Sequence, residues 1–549
     1  MNATGGVLPI PDAWSGYLAQ AQEMATTRVI LFALVNIPLL AIVLNVLRQL
    51  IIPRSKTDPP LVFHWIPIVG STIEYGNNPM KFFVACQEKY GDVFTFILLG
   101  RKVTVCLGPK GNNFVLGGKS TVFNAEDAYT HLTTPVFGRD VVYDVPNEVF
   151  MEQKKIHNFR AYVGMIEQEV EEFIASDPSF STYQQNDITA WGAIETVNAL
   201  SEITILTASR TLQGSEVREN LNKSFAQTYT DLDGGFTSIN FMFPNLPLES
   251  YRKRDRAQKK MSEFYVDIIK KRRVGDSGQR EHDMIAALLD QKYRSGRPLK
   301  DHEIAHIMIA LLMAGQHTSS ATGSWALLHL ADRQDVADAL YQEQIKHFGI
   351  NGQPGKFRPL NYEDLKELPI LDSIIRETLR VHPPIHSILR AVRDDVPIPP
   401  SLAAPSSKSG SGTYIVPKGT AVLASPLFAQ MDPKIWKNAS KWEPNRWNDP
   451  EGVAMLALKE YTDEGGETID FGFGAVSKGT DSPYQPFGAG RHRCIGEQFA
   501  YLQLGTILAT LVRKMEFKIP TGVPEHNYHT MITMPKTPRN VHYRRRHFD

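Results

Sequence analysis

The stretch FGAGRHRCIGEQFA, residues 487–500, places a cysteine in a glycine-rich loop directly before a largely apolar segment with helical periodicity. Two glycines precede Cys494 and Gly496 follows it. Glycines spaced in this way permit positive φ and a close approach of the backbone to a flat or bulky group. Backbone N–H groups around the sulfur and the N-terminal end of a helix both favour a thiolate. The stretch therefore predicts a thiolate metal ligand and a helix from Glu497 onward.

The charge balance and the cysteine content exclude several other classes of protein. Lys and Arg total 59 and Asp and Glu total 59, so the chain lacks the basic excess that nucleic-acid binding requires. Its three cysteines, Cys86, Cys106 and Cys494, are too few and too scattered for a disulfide framework, and they lack the CxxC spacing of structural zinc sites. We expect a reducing compartment and no nucleic-acid partner.

Residues 29–47 carry no charge and are long enough to cross a bilayer as one helix. Arg48, Arg54 and Lys56 follow, and the positive-inside rule then places the rest of the chain in the cytosol. A cleaved signal peptide is the alternative interpretation. It would need a short apolar core near residue 10 and a small-residue cleavage site, and the sequence has neither.

Two units follow from this interpretation. We expect residues 1–52 to form a lumenal tail and a single-pass membrane anchor, and residues 53–549 to form one large domain. The sequon at Asn2 is a glycosylation acceptor only if this end is lumenal. Within the domain, residues 93–108 predict a β-hairpin turning at Gly100-Arg101-Lys102, and most of the chain to residue 385 has helical periodicity. The fold class is therefore mainly α with minor β.

The strongest helix pattern runs from Asp301, a plausible N-cap, to Leu330 and is apolar on nearly every face, which predicts a helix through the domain centre. It contains AGQHT, residues 314–318. Ala314 and Gly315 remove side-chain bulk, so a planar group or a ligand could lie against the backbone, within reach of the Thr318 hydroxyl. A small-residue helix crossing with a threonine bonded to its own backbone is the other interpretation.

A second helix pattern, LDSIIRETLR, places Glu377 and Arg380 on one face. A later segment, WEPNRW, supplies Arg446 as a third possible partner. Alone, such residues are more often an ordinary surface ion pair of little energetic consequence.

The ExxR pair, the arginine in its Trp-flanked loop, the cysteine loop and the AGQHT helix together resemble the cytochrome P450 superfamily over nearly the whole chain. The resemblance implies the cytochrome P450 fold with a single haem domain. It implies Cys494 as the axial thiolate of haem b, a buried structural network of Glu377, Arg380 and Arg446, and AGQHT as the oxygen-binding groove.

Within the superfamily the chain resembles the sterol 14α-demethylases, fungal type. His317 stands where an acid is usual in other members, and a histidine can also relay protons. The stretch AYTHLTTPVFGRDVVYDVP, the LDGGF segment with the INFMFPNLPLE that follows it, and HPPIHSILR resemble the family's substrate-recognition segments. Ser238, where proline is frequent, and Ala489, where glycine is frequent, depart from the pattern.

The family resemblance also implies roles for individual residues. The catalytic residues for proton delivery are Thr318, His317 and Asp233, the last two as a pair. The residues around the haem are Cys494, Tyr129, Tyr143, Lys154, Arg390, His492, Gly315 and Phe487. The cations and phenols among them would bind the two negatively charged haem propionates. The substrate cavity is lined by Tyr129, Phe137, Tyr143, Ser387, Ile388 and Met531.

The activity implied is removal of the 14α-methyl group of lanosterol or eburicol in three successive oxygen-dependent steps, in ergosterol biosynthesis. Electrons would come from an NADPH–haemoprotein reductase, because the chain contains no plausible nucleotide domain. The implied location is the endoplasmic reticulum membrane, and azoles are the implied inhibitors. Two alternatives stay open: a haem-thiolate monooxygenase of another hydrophobic compound, and a non-catalytic sterol- or haem-binding membrane protein.

Overall fold

A computed structural model describes residues 12–52, 55–153, 161–185, 187–274, 283–403, 413–462, 469–470, 475–476 and 479–547. Asn2 and Lys154 lie outside these ranges. The helices in the described part are α1 Asp12–Ile51, α2 Thr72–Asn77, α3 Pro79–Tyr90, α4 Gly108–Leu116, α5 Glu126–Phe137, α6 Asn147–Gln153, α7 Tyr162–Ser176, α8 Ser181–Gln184, α9 Thr196–Ala208, α10 Ser215–Glu219, α11 Lys223–Asp233, α12 Ser238–Met242, α13 Glu249–Val274, α14 Met284–Asp290, α15 Asp301–Asp332, α16 Gln334–Phe348, α17 Tyr362–Leu365, α18 Pro369–Val381, α19 Pro426–Gln430, α20 Val453–Thr462 and α21 Glu497–Lys514.

The strands are short by comparison. They are β1 Val93–Leu98, β2 Arg101–Cys106, β3 Phe123–Asn124, β4 Gly192–Glu195, β5 Gly349–Ile350, β6 Gln353–Phe357, β7 Ile388–Val392, β8 Val396–Pro397, β9 Ile415–Val416, β10 Ala421–Ala424, β11 Ile469–Asp470, β12 Ala475–Val476, β13 Met515–Lys518, β14 His526–Asn527, β15 Met534–Pro535 and β16 Asn540–Arg545. One sheet has the order β1-β2-β10-β7-β3, a second β13-β16-β4, and the other strands form pairs. The predicted mainly helical class with minor sheet is confirmed.

Helix α15 is the centre of the domain, and it packs against α9, α13, α18 and α21. Its apolar residues are buried on every side along most of its length, as the sequence pattern predicts. The helix begins at Asp301, so the prediction of Asp301 as the N-cap is wrong. Lys300 holds that position, and its backbone N–H donates to the Glu303 carboxylate at 2.7 Å.

The predicted hairpin is present as β1 and β2, paired from Val93–Cys106 to Leu98–Arg101. Its turn lies at Leu99-Gly100, one residue before the predicted position, because both of these residues adopt positive φ. Residues 231–249 contain the short helix α12, and the charged helix α13 continues as far as Val274.

One described helix, Arg28–Ile51, is long and apolar enough to cross a bilayer, and none of it is buried against the domain. This agrees with the prediction over residues 29–47 and extends it at both ends. Near its C-terminal end the Asn45 amide donates to the carbonyls of His64 and Trp65 at 2.9 and 3.0 Å. Gln49 donates to the His64 carbonyl at 2.7 Å and accepts from the His64 N–H at 3.2 Å. We call these four hydrogen bonds the amide clamp.

Candidate active site

The loop before α21 presents the Cys494 sulfur as an accessible ligand. Cys494 is exposed, whereas Cys86 and Cys106 are buried. The Cys494 N–H donates to the Phe487 carbonyl at 2.9 Å, and the Gly496 N–H lies 3.3 Å from the sulfur as its donor. Because the sulfur lies at the N-terminal end of α21 and receives a backbone N–H, the thiolate is favoured.

Glycine is required in this loop where the backbone turns and meets α4. Gly490 has φ +67°, and a Cβ there would lie 2.5 Å from the Leu116 carbonyl oxygen. At position 489 the backbone is extended, with φ −151°. Alanine therefore fits at 489, although glycine is frequent there in the family the chain resembles. Phe487 supports the loop, with its ring 5.8 Å from that of Tyr501.

Helix α15 contains an open notch in its otherwise buried middle. Ala314 is exposed, Gly315 and Thr318 are half-buried, and nothing lies within 4 Å of a Cβ built on Gly315. The Thr318 hydroxyl donates to the Ala314 carbonyl at 2.8 Å. The structure thus combines the two interpretations of AGQHT: the threonine is bonded to its own helix, and it borders space for a planar group or ligand.

Two tyrosines, an arginine and a histidine converge from separate elements. The rings of Tyr129 and Tyr143 stack at 5.3 Å, and His492 lies 6.0 Å from Tyr143. The Leu389 N–H donates to the Tyr129 hydroxyl at 2.9 Å, which joins α5 to β7 next to Arg390. Burial raises the pKa of both phenols, that of Tyr143 to about 12, although the Arg390 charge acts to lower it. Both hydroxyls therefore remain hydrogen-bond donors.

Arg390 is a buried cation with 4% of its surface exposed. Its guanidinium donates to the Leu389 carbonyl at 2.8 Å, and the ion pairs within the described residues do not include it. A buried charge is stable only with a counter-charge. The position therefore suits an anionic group of a ligand. Lys154, expected at the same place, lies outside the described residues.

Asp233 and His317 are adjacent, as the family resemblance led us to expect. The His317 Nε2 atom lies 2.8 Å from the Asp233 Oδ1 atom, which joins the end of α11 to α15. Sequence reasoning missed a third member: the Tyr229 hydroxyl lies 3.3 Å from the same Nε2 atom. The available signal was spacing, because Tyr229 lies four residues before Asp233 and shares its helix face.

The residues predicted to line a substrate cavity are distributed over several elements. Ile388 lies beside the cysteine loop, with its Cδ1 atom 3.5 Å from a Cβ built on Gly488. Ser387 bonds to the His386 ring at 2.8 Å. Phe137 stacks on Phe236 at 6.0 Å and is only 7% exposed, so most of its surface belongs to the core. Met531 lies half-buried between β14 and β15.

A chain of histidines ties the β14–β15 hairpin, which carries Met531, to the domain centre. His329 of α15 and His382 bond through their Nε2 atoms at 2.7 Å. The Nδ1 atom of His382 then bonds to the Nε2 atom of His526 at 2.7 Å. Trp325 stacks on the His382 ring at 3.8 Å. Burial lowers the pKa of His382 well below its ordinary value, so this ring stays neutral.

We expect these buried histidines to make the fold sensitive to mild acid. Burial lowers the pKa of His329 from 6.5 to about 3, and the pKa values of His386 and His526 to about 4. Below pH 6.5 the unfolded chain binds protons that the folded chain excludes, so stability falls as the pH falls toward the folded pKa. The free energy of unfolding should decrease by about 1.4 kcal/mol per pH unit for each histidine.

Denaturant titration between about pH 7 and about pH 5 measures this slope. His526→Gln should reduce the slope. His529→Gln, at an exposed histidine of the same hairpin, should leave it unchanged. Equal slopes in the wild type and in His526→Gln would contradict the assignment.

The buried Glu377 carboxylate is the centre of a charge network. Arg380 donates to its two oxygens at 2.9 and 2.8 Å, and Arg446 donates to Oε1 at 2.9 Å. The Trp447 indole donates to Oε2 at 3.0 Å, and the Glu443 N–H donates to Oε1 at 2.9 Å. Arg380 also donates to three carbonyls, those of Gln430, Ala439 and Lys441. The network therefore fastens α18 to the segments on either side of Trp436.

Comparison with known proteins decides the family. The cytochrome P450 family model matches residues 59–543. The chain is 54% identical over 518 residues to the lanosterol 14-alpha demethylase of Mycosarcoma maydis, with 91% of each chain covered. It is 47% identical over 521 residues to a sterol 14-alpha demethylase of Aspergillus fumigatus, with 92% and 96% covered. The chain belongs to the fungal sterol 14α-demethylase family of cytochromes P450.

The solved structures agree on the fold. The cyanobacterial CYP120A1 with retinoic acid bound superposes with a TM-score of 0.69 at 21% identity, covering 90% of this chain and 100% of that chain. As a member of the cytochrome P450 family the protein is a haem-thiolate monooxygenase that receives electrons from a reductase. The predicted family, fold and cofactor are confirmed.

Three observations of this structure fit the haem. The Cys494 sulfur is accessible and receives a backbone N–H. The notch at Gly315 provides open space beside the central helix. Arg390 is a buried cation beside two protonated phenols, which is the chemistry that two propionates require.

Proposed function

We propose that the protein removes the 14α-methyl group of lanosterol or eburicol. The methyl group is taken to the alcohol and then to the aldehyde, and a third monooxygenation breaks the C–C bond and releases formate. Each of these steps consumes one dioxygen, two electrons and protons. The sequence relatives carry this proposal, because two of them named as sterol demethylases are 47% and 54% identical over nearly the whole chain.

Cys494 would hold the haem iron, and Tyr129, Tyr143, Arg390 and His492 would hold its propionates. When bound, the haem supplies the oxidising power, and the thiolate donor favours O–O cleavage. The protein's own groups provide the space beside the haem and the path for protons. The notch at Gly315 would leave room beside the haem, and the Thr318 hydroxyl, whose hydrogen is donated to the Ala314 carbonyl, keeps lone pairs that can accept a further hydrogen bond. Asp233 and His317 move protons from solvent toward it.

The proposed substrate cavity is lined by Tyr129, Phe137, Tyr143, Ser387, Ile388 and Met531. Stacked aromatic rings present rigid apolar surface to a flat sterol, and the few polar tips orient it. Gly138 supports the close packing of this region: its φ is +107°, and a Cβ there would lie 2.4 Å from the His306 ring. The tight approach of the α5 segment to α15 therefore depends on glycine.

We further propose the two units of the chain, with residues 1–52 as lumenal tail and anchor and residues 53–549 as a catalytic domain on the cytosolic side of the endoplasmic reticulum. The exposed apolar helix Arg28–Ile51 supports the anchor. The electron donor would be a membrane-bound NADPH–haemoprotein reductase. Azoles would inhibit the enzyme, because an azole nitrogen is a good ligand for haem iron.

The deciding experiment is turnover of lanosterol and of eburicol by the purified protein with the reductase and NADPH. We expect 14-demethylated sterol and an equal amount of formate, with no product when the reductase is omitted. A protein that shows the spectrum of thiolate-ligated haem and yet yields no demethylated sterol would contradict the proposed substrate. That result would favour a monooxygenase acting on another hydrophobic compound.

A further inference from the structure

Tyr229 shares one ring nitrogen of His317 with Asp233. The Tyr229 hydroxyl lies 3.3 Å from His317 Nε2, and Asp233 Oδ1 lies 2.8 Å from the same atom. The two rings stack at 6.1 Å with an angle of 29°. Tyr229 is buried at 8% exposure, whereas the Asp233 side chain is 40% exposed. The nitrogen is thus held by one oxygen from the interior and one from the solvent side.

The Tyr229 hydroxyl donates its hydrogen to Gln316 and not to His317. The hydroxyl donates to Gln316 Oε1 at 3.1 Å, and an amide oxygen can only accept. The amide orientation is consistent, because Gln316 Nε2 donates to the Ser201 carbonyl at 3.4 Å. Burial and the Asp233 charge raise the pKa of Tyr229 well above 10, so the phenol does not ionise. Toward His317 the phenol therefore offers only a lone pair.

Two acceptors at one nitrogen require that this nitrogen carry hydrogen. The Nε2 atom is protonated both in the imidazolium and in the neutral ring, and the neutral ring then has a bare Nδ1. We infer that Tyr229 and Gln316 are positioning residues that hold His317 in its Nε2–H tautomer, so that Nδ1 is the nitrogen that gains and loses the proton delivered in each catalytic cycle. This inference rests on the proposed proton-delivery role of His317. It involves proton transfer alone: Nδ1 gives its proton to an acceptor and takes another from water.

Tyr229→Phe tests the inference because it removes one oxygen and keeps the stacked ring. Loss of a hydrogen bond to a charged group corresponds to roughly tenfold in rate. We expect kcat to fall by about that factor, with KM and the substrate-induced spectral change of the holoenzyme unaltered, and more NADPH electrons lost as hydrogen peroxide. Tyr265→Phe is the matched control. Tyr265 is also buried and donates to a glutamine oxygen, that of Gln213, at 2.5 Å, and within the described residues it forms no hydrogen bond with His317.

A double-mutant cycle separates positioning from general damage. Tyr229→Phe should have no further effect in a His317→Ala background, because it acts through that ring. Additive losses, or wild-type kcat and coupling in Tyr229→Phe, would overturn the inference.

The ring-nitrogen NMR shifts of histidine-labelled holoenzyme report the His317 tautomer without turnover. We expect Nε2–H in the wild type and a mixture of tautomers in Tyr229→Phe, and a bare Nε2 in the wild type would overturn the inference. If the wild type does not demethylate sterols, the proposed function fails, while the tautomer measurement still decides this inference.

Discussion

Cys494→Ala should abolish both sterol turnover and the carbon-monoxide difference band of thiolate-ligated haem. Cys494 is the exposed cysteine of the loop and the only one that receives a backbone hydrogen bond at its sulfur among the described residues. Alanine removes the ligand and no buried packing, so the domain should keep its helical circular dichroism. Difference spectra of the reduced protein and product analysis measure the loss, which we expect to reach background.

The other two cysteines provide matched controls for this substitution. Burial raises the pKa of the Cys86 thiol to about 11 and that of Cys106 to about 12, so both stay protonated. Cys86→Ala and Cys106→Ala should retain the thiolate-haem band, at a modest loss of stability from the small cavities they create. A normal band in Cys494→Ala, or its loss in either control, would refute the assignment of the ligand.

Glu377→Gln should prevent accumulation of folded, haem-containing protein. The amide has no negative charge, so the buried Arg380 and the nearly buried Arg446 lose their counter-charge. Breaking a buried pair in this way typically costs about 3–5 kcal/mol, a large share of the stability of a domain. The haem content of the purified protein and its midpoint of unfolding measure the effect.

Glu343→Gln is the control for the loss of a buried carboxylate. Glu343 is 5% exposed and accepts from the N–H groups of Ile370 and Leu371 at 2.7 and 3.1 Å, and no arginine in the described part of the chain bonds to it. Its burial raises its pKa. An amide there should cost about 1 kcal/mol, the value of one hydrogen bond. Equal unfolding midpoints in the two variants would show that the arginine pairs around Glu377 do not stabilise the domain.

Local patterns predicted the elements whose signal is contained in a few consecutive residues. The hairpin, the central helix, the apolar N-terminal helix and the glycine loop around Cys494 all belong to this class. The errors were at boundaries: Asp301 is the first helical residue rather than the cap, and the hairpin turns at Leu99-Gly100. Such shifts arise because the cap and the turn depend on backbone angles that several residue types can adopt.

Contacts between distant segments could not be derived from the residues alone. The pairing of Asp233 with His317 was expected from the family, whereas the spacing of Tyr229 and Asp233 on one face of α11 did not show that this face meets His317 of α15. The histidine chain joins positions 53 and 144 residues apart, which no spacing rule connects. The buried charge of Arg390 likewise depends on the packing of β7 against β10 and β3.

The amide clamp gives the N-terminal helix a second property besides hydrophobic length. A polar side chain in a lipid-facing helix costs free energy when it enters the bilayer, and Asn45 lowers the hydropathy of the apolar stretch in this way. Here the Asn45 and Gln49 amides form hydrogen bonds with the backbone of His64 and Trp65. The amide clamp therefore joins the end of the helix directly to the domain. With the helix in a bilayer as proposed, the amide clamp would limit rotation of the domain about its anchor. The tilt of the proposed anchor would then set which side of the enzyme faces the lipid.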